Sequence, residues 1–290
     1  MTYTVACIFS TVVLGFLFKQ FAEKDVRISK IILINYLICA LIGILQMGLD
    51  VFDFTQFGSG LTAFVIGILF VAGFNAFGNA VALNGISLAT VIQKLSVGLT
   101  VVVALLIGEK LNVYQWVGFI LSLVAIVVIF YRKNKDNSIH KKDFGRVYLL
   151  ATLILSAIIE IGFLFIHKNG NHNPSFEWIF TTRVFISAFI ASMIYNWVSI
   201  PNKKINSEEI TGGILLGIPN FFSILFLNKA LGSGMQGSVF YPILNCSVIL
   251  LSSVIGAWMF RERFSKQKII GLLLALASIL LVGLFRYHYG

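Results

Sequence analysis

The chain is poor in charge. Asp, Glu, Lys and Arg make up 12% of its 290 residues, against about 25% in an average soluble domain. Hydrophobic residues reach 58%, with a mean hydropathy of +0.92. No soluble fold of this length can hide that much apolar surface, so a globular domain on one anchor is excluded. Cysteine is scarce. Cys7, Cys39 and Cys246 lie inside apolar stretches without metal-ligand spacing, which argues against a disulfide framework. The four histidines (His140, His167, His172 and His288) fall in loops or at the ends of apolar runs, again without metal spacing. No nucleophile–base constellation appears, so the expectation is no enzyme, no metal and no cofactor. A Gly-rich phosphate loop is missing too, and with it built-in ATP hydrolysis. The N-terminus has no basic region, and the run from Tyr3 to Phe18 ends in charge, not in small residues. It reads as a first span and not as a removable signal.

What the chain has instead is ten apolar stretches of about the length a bilayer requires. They cover residues 2–19, 30–49, 59–82, 86–107, 113–131, 145–167, 176–199, 210–230, 236–260 and 267–287. The expected fold class is all-α, a polytopic membrane protein of ten transmembrane helices. Connectors alternate in charge: those on one side hold 16 of the 22 Lys and Arg, those on the other hold 4, and Lys94 and Arg183 lie within spans. The positive-inside rule then puts both termini outside the cytoplasm. The net charge of +10 thus reads as orientation and contact with lipid headgroups, not as nucleic-acid binding. The basic run Arg132–Lys142 belongs to that signal.

The chain also repeats itself. Glu109, Gly118, Leu121, Leu123 and Ile126 recur as Glu262, Gly271, Leu274, Leu276 and Ile279, at a constant offset of 153. Ala82, Leu83 and Val91 recur as Ala230, Leu231 and Val239, at an offset of 148. Two five-span halves follow, residues 1–135 and 144–290, with the polar connector Arg132 to Asp143 between them. Five is odd, so halves sharing a fold lie inverted in the membrane. Inverted repeats place a substrate site near the midplane and expose it to each side in turn.

These residues carry a resemblance. Ten spans, two five-span halves, and Gly108-Glu109-Lys110-Leu111 or Arg261-Glu262-Arg263-Phe264 before a Gly-containing closing helix resemble the drug/metabolite transporter superfamily, nearest to its EamA-domain family. The resemblance implies a secondary transporter of small polar metabolites such as amino acids, often an exporter, in a bacterial plasma (inner) membrane. It also implies a polar cavity lined by spans 3, 4, 8 and 9 with help from 1 and 6, and cavity-facing roles for Lys94 and its neighbours and for Tyr241, Pro242 and Asn245. Many members carry a proline in the middle of the span before the Glu. Pro242 fits that place in the second half, but Lys94 stands there in the first. Expected partners are a small-molecule substrate, membrane lipid and a proton as coupling ion, with the chain a monomer or homodimer. Two alternatives stand: a membrane enzyme acting on a lipid-linked substrate, and a nucleotide-sugar or organic-anion exchanger of the same superfamily.

Lys94 is the sharpest single signal. It lies about eight residues into its span, roughly 12 Å deep at about 1.5 Å per residue. A charge there costs at least about 2.5 kcal/mol unless it meets water, a partner or a substrate. It reads as a cation for an anionic substrate group, as a structural partner of Glu160, or as a side chain that snorkels to the surface. Glu160 and Arg183 fall at similar depth in neighbouring spans. They read as a salt bridge, as a protonatable coupling residue (Glu160), or as a substrate or gating contact (Arg183). Asn75, Asn79, Asn84, Gln93, Ser96, Asn220, Ser223, Asn228, Tyr241 and Asn245 form the polar set of spans 3, 4, 8 and 9. Of these Gln93, Ser96, Asn75, Asn220, Tyr241 and Asn245 are the expected substrate contacts beside Lys94. Pro219 and Pro242 add expected helix breaks. Glu109 and Glu262 read as helix-end charges paired with Lys110, Arg261 or Arg263, or as a gate.

Overall fold

The structure is a computed structural model that describes residues 1–22, 26–53, 57–84, 86–130, 142–169, 175–199, 205–260 and 265–284. Among these residues it is helical, with no strand. The helices are α1 (Thr2–Ala22), α2 (Ile28–Met47), α3 (Phe57–Asn84), α4 (Ile86–Lys94), α5 (Ser96–Leu106), α6 (Val113–Phe130), α7 (Lys142–Asn169), α8 (Phe176–Ser199), α9 (Ser207–Gly232), α10 (Gly237–Phe260) and α11 (Lys266–Leu284). A 3₁₀ turn, Gly48–Phe52, precedes α3. Among the described residues, eight helical stretches are long and apolar enough to cross a membrane, and α4 and α5 together supply one of them. Two shorter apolar stretches, Thr2–Leu17 and Val113–Ile129, lie in α1 and α6. The chain is therefore a polytopic helical membrane protein. Backbone groups in hydrocarbon have no water to bond, and helices satisfy them within the segment.

The helices gather into two compact units, each drawn from both halves of the sequence. One holds Met1–Val71 and Phe165–Gly234; the other holds Ala72–Leu164 and Met235–Gly290.

In the first unit α9 lies along α2 and α1, and α8 lies along α2. Lipid offers no hydrophobic drive for helix pairing, so close approach comes from small residues. Gly213 and Gly217 sit one turn apart on α9. A Cβ at Gly213 would lie 2.4 Å from Ile34 Cβ, and one at Gly217 would lie 2.7 Å from Ile38 Cβ and 3.1 Å from the Asn35 carbonyl oxygen. Gly67 on α3 meets α8 in the same way: its Cβ would lie 2.5 Å from Ser187 Cβ and 2.6 Å from the Val184 carbonyl oxygen. Aromatic rings fill the remainder, with Phe185 against Tyr36 at 6.1 Å and against Phe221 at 5.9 Å between centroids.

The helix ends of this unit are tied by charge. Asn206 caps α9 by accepting from the Glu209 amide at 3.0 Å, and Glu209 Oε2 accepts from the Asn206 amide at 3.0 Å, a capping box written Asn-x-x-Glu. The same buried carboxylate takes Arg27, just before α2, through Nε and Nη2 at 2.7 Å each. A bidentate guanidinium–carboxylate pair is directional, so it sets the start of α2 against the start of α9.

In the second unit α6 lies along α11, and α10 contacts α11, α6 and α5. Here the packing is reciprocal. A Cβ at Gly118 on α6 would lie 2.7 Å from Val282 Cγ2 on α11, and one at Gly271 on α11 would lie 2.4 Å from Ile129 Cγ1 on α6. Gly118 and Gly271 are 153 residues apart, as are Ile129 and Val282. Ser278 Oγ donates to the Gly118 carbonyl oxygen at 2.7 Å at the same crossing.

The expected breaks at proline do not appear as helix ends: α9 runs through Pro219 and α10 through Pro242. The interruption falls instead at Leu95, between α4 and α5, where no proline stands. There the Gly98 amide bonds the Leu95 carbonyl oxygen three residues back, at 3.0 Å. One turn of the span is thus tightened, a local 3₁₀ step of the kind that marks hinges. In the sequence register Lys94 matches Pro242, so the interruption stands beside the place that a proline occupies, without a break, in α10.

Candidate functional site

The tightened turn presents Lys94, and a polar ring closes around it inside the second unit. Lys94 Nζ donates to Asn245 Oδ1 on α10 at 3.1 Å. Asn245 is 3% exposed, and its Nδ2 makes no hydrogen bond. One turn back along α10 lies Tyr241, 1% exposed, whose hydroxyl donates to the backbone carbonyl of Glu160 on α7 at 2.8 Å. The Glu160 carboxylate accepts from Thr100 Oγ1 at 2.6 Å and from Ser96 Oγ at 3.3 Å, both on α5. Ser96 follows Lys94 by two residues, which completes the ring. The Lys94 ammonium also acts on the Glu160 carboxylate through its charge.

Helical spacing explains how two stripes meet. Ser96 and Thr100 are four apart on α5, and Gly237, Tyr241 and Asn245 are each four apart on α10, so each set shares a face. The two helices are in contact. A cation and a carboxylate held in apolar spans are costly unless they compensate each other and find further hydrogen bonds. The hydroxyls of Ser96 and Thr100 and the amide of Asn245 provide those bonds. What remains is a buried amide donor, Asn245 Nδ2, beside an ammonium: a local excess of donors that suits an acceptor or an anion.

Glu109 has a role that the sequence did not reveal. After α5 the chain turns at Gly108, where a φ of 98° favours glycine. Glu109 Oε1 then accepts from the Gly237 amide at 2.9 Å and Oε2 from the Ser238 amide at 2.8 Å. The carboxylate thus caps the N-terminus of α10, satisfying two amides and complementing the helix dipole. Because Gly237, Tyr241 and Asn245 share one face, this cap anchors the stripe that meets Lys94 and Glu160. Residue type alone carries no hint of a partner 128 residues away. Glu109→Ala is expected to destabilise the chain by about 1–2 kcal/mol, read as a lower melting temperature in detergent. An unchanged melting temperature would contradict the cap. The repeat partner Glu262, like most of the basic run Arg132–Lys142, lies outside the described residues.

The other expected site residues are distributed as follows. Asn75 on α3 and Gln93 on α4 belong to the second unit and are half-buried. The Asn75 carbonyl accepts from Asn79 Nδ2 at 2.8 Å. Asn84 ties α3 to α7 by donating to the Gly145 carbonyl at 3.1 Å. Asn220 belongs to the first unit, where it donates to Asn35 Oδ1 at 3.2 Å. Arg183, also in the first unit, is buried and donates from Nε to the Val51 carbonyl at 2.8 Å and from Nη2 to the Asp53 carbonyl, clasping the 3₁₀ turn before α3. Glu160 and Arg183, paired in the sequence reading, thus fall in different units, each with partners of its own. Thr100 is the one member of the ring that the sequence reading missed. It is visible as the residue four beyond Ser96 on the same face.

No family model matches the chain. It is similar to an uncharacterized protein of Haemophilus influenzae, 26% identical over 95% of each chain. A solved crystal structure covers 98% of this chain, and 98% of that chain is covered in turn, with a TM-score of 0.76 and 14% identity. At that identity the likeness shows the fold alone, a fold that this chain shares over nearly its whole length.

Proposed function

We propose that the chain is a secondary carrier of small polar metabolites such as amino acids, with ten spans in two inverted five-helix repeats, and that it works by alternating access to a site at Lys94. The observation that carries this reading is the Lys94–Asn245–Glu160 ring: a cation, a carboxylate and an unused buried amide donor inside helices long enough to span a bilayer. Ionisable groups in such places mark substrate and ion pathways. The inverted repeat is supported by the reciprocal contacts of α6 and α11, in which residue i meets j and the repeat of j meets the repeat of i, as across a two-fold axis. Gly67 against Ser187 and Gly217 against Ile38 support it as well. The glycines differ by 150 residues, Ser187 and Ile38 by 149. Membership of the drug/metabolite transporter superfamily, near its EamA branch, agrees with these features. The reading also takes in a bacterial plasma membrane, termini outside the cytoplasm and export as the working direction. In this reading Glu160 is the coupling residue and Arg183 supports a gate.

The test is counterflow. The full chain is reconstituted in proteoliposomes preloaded with an unlabelled amino acid or organic acid chosen by its thermal stabilisation of the protein. Labelled compound outside should accumulate transiently only when the same compound is inside. A chain that catalyses no exchange with any stabilising compound is not a carrier.

A further inference from the structure

We propose that Glu160 is the stand-in counter-ion of Lys94 in the empty carrier, and that a small organic monoanion binds by taking its place, with one proton taken up by Glu160 for each anion bound. The proposal rests on the carrier reading and adds a charge balance to it.

Asn245 spends Oδ1 on Lys94 and leaves Nδ2 buried without an acceptor. Glu160 is turned toward α5, held by Ser96 and Thr100. An incoming carboxylate has two oxygens, one for Lys94 Nζ and one for Asn245 Nδ2, so it satisfies both donors together. That leaves two carboxylates sharing a single cation. An uncompensated carboxylate in a low-dielectric site neutralises itself by taking a proton. The proton comes from solvent and adds to a Glu160 carboxylate oxygen; no other bond forms or breaks.

Thr100 makes both protonation states equally well bonded. Its Oγ1 lies 2.6 Å from Glu160 Oε2 and 3.2 Å from the Ser96 carbonyl oxygen. With Glu160 ionised, the hydroxyl donates to the carboxylate. With Glu160 protonated, the carboxyl donates to Thr100 and the hydroxyl turns its own proton to the Ser96 carbonyl. Among the described residues, Lys94 from α4, Ser96 and Thr100 from α5, and the Tyr241 phenol from α10, which addresses the backbone carbonyl, face Glu160. A dianion would bring a second charge that this single lysine does not match, which selects monoanions.

The experiment titrates the purified full chain with pyruvate, lactate and benzoate by calorimetry, in buffers of different ionisation enthalpy. The expected result is uptake of one proton per anion, with affinity falling about tenfold for each pH unit over the range in which Glu160 is ionised before the anion binds, and no proton uptake in Glu160→Gln. Binding without proton uptake in the wild-type chain overturns the proposal. So does the same uptake in E160Q, or binding of none of the three anions. If E160Q fails to fold, the wild-type proton count decides alone. Undiminished pyruvate binding by Lys94→Gln would instead overturn the underlying assignment of the site to Lys94.

Discussion

Lys94→Gln is expected to lower exchange in proteoliposomes by about 100-fold while leaving the protein folded. A hydrogen bond between a charged donor and its partner contributes about 1.5–3 kcal/mol, and each 1.4 kcal/mol is about tenfold in affinity. Loss of the ammonium removes that bond and the long-range attraction of an anion together. Glutamine is one bond shorter but stays polar and keeps an N–H donor, so a small side-chain shift can restore the contact with Asn245 Oδ1, 3.1 Å in the native chain, without a buried charge to compensate. The pattern to look for is therefore lost exchange with a melting temperature close to that of the wild type. A large fall in melting temperature with exchange surviving in the folded fraction would mean that Lys94 is a structural partner of Glu160 and nothing more.

Gly213→Leu should have the largest effect on stability, about 3 kcal/mol, at the upper end of ordinary overpacking. The first atom beyond Cα already fails to fit: a Cβ there would lie 2.4 Å from Ile34 Cβ and 3.0 Å from the Ile31 carbonyl oxygen. Neither is the far end of a flexible side chain. Carbon atoms prefer about 3.5–4.0 Å, so α9 must move away from α2 by roughly 1 Å. That movement stretches the Asn220–Asn35 bond, 3.2 Å in the native chain, and the contact of Cys39 Sγ with the Gly217 carbonyl, also 3.2 Å. Gly78→Ala is the control, because nothing lies within 4 Å of a Cβ at that position. Thermal melting of both variants in one detergent separates the cases. Equal melting temperatures would show that α2 and α9 do not approach as described.

The Gly213 result follows from backbone approach, and the spacing Gly213-x-x-x-Gly217 already announces it as a packing motif. The Lys94 result follows from an assembly of four helices, α4, α5, α7 and α10, that no local pattern describes. Asn220 illustrates the gap. Type and depth put it among the expected substrate contacts, and the fold supplies a partner, Asn35, that neither property names. Arg183 is similar: a lone arginine in a span reads as functional, and it closes on the carbonyl oxygens of Val51 and Asp53. A polar residue in a membrane helix is costly without a partner, but which partner it meets depends on helix rotation and register, which the chain does not spell out locally.

The class of the molecule and the places of most of its helices were legible in the residues alone. Apolar length, loop charge and turn residues are local properties, and the cost of bare backbone in hydrocarbon leaves them one solution. The residues also exposed the repeat, because Gly118 and Gly271, which recur at an offset of 153, lie where α6 and α11 cross closely. The tertiary structure alone decided which charges meet. It turned Glu109 from a helix-end charge into the cap of α10, set the Glu160 carboxylate against Ser96 and Thr100, and brought Asn245 to Lys94. Among the described residues, it interrupted a span at Leu95 and not at a proline. Each of these depends on contacts between helices far apart along the chain, where side-chain rotamer and helix register decide and residue type alone does not.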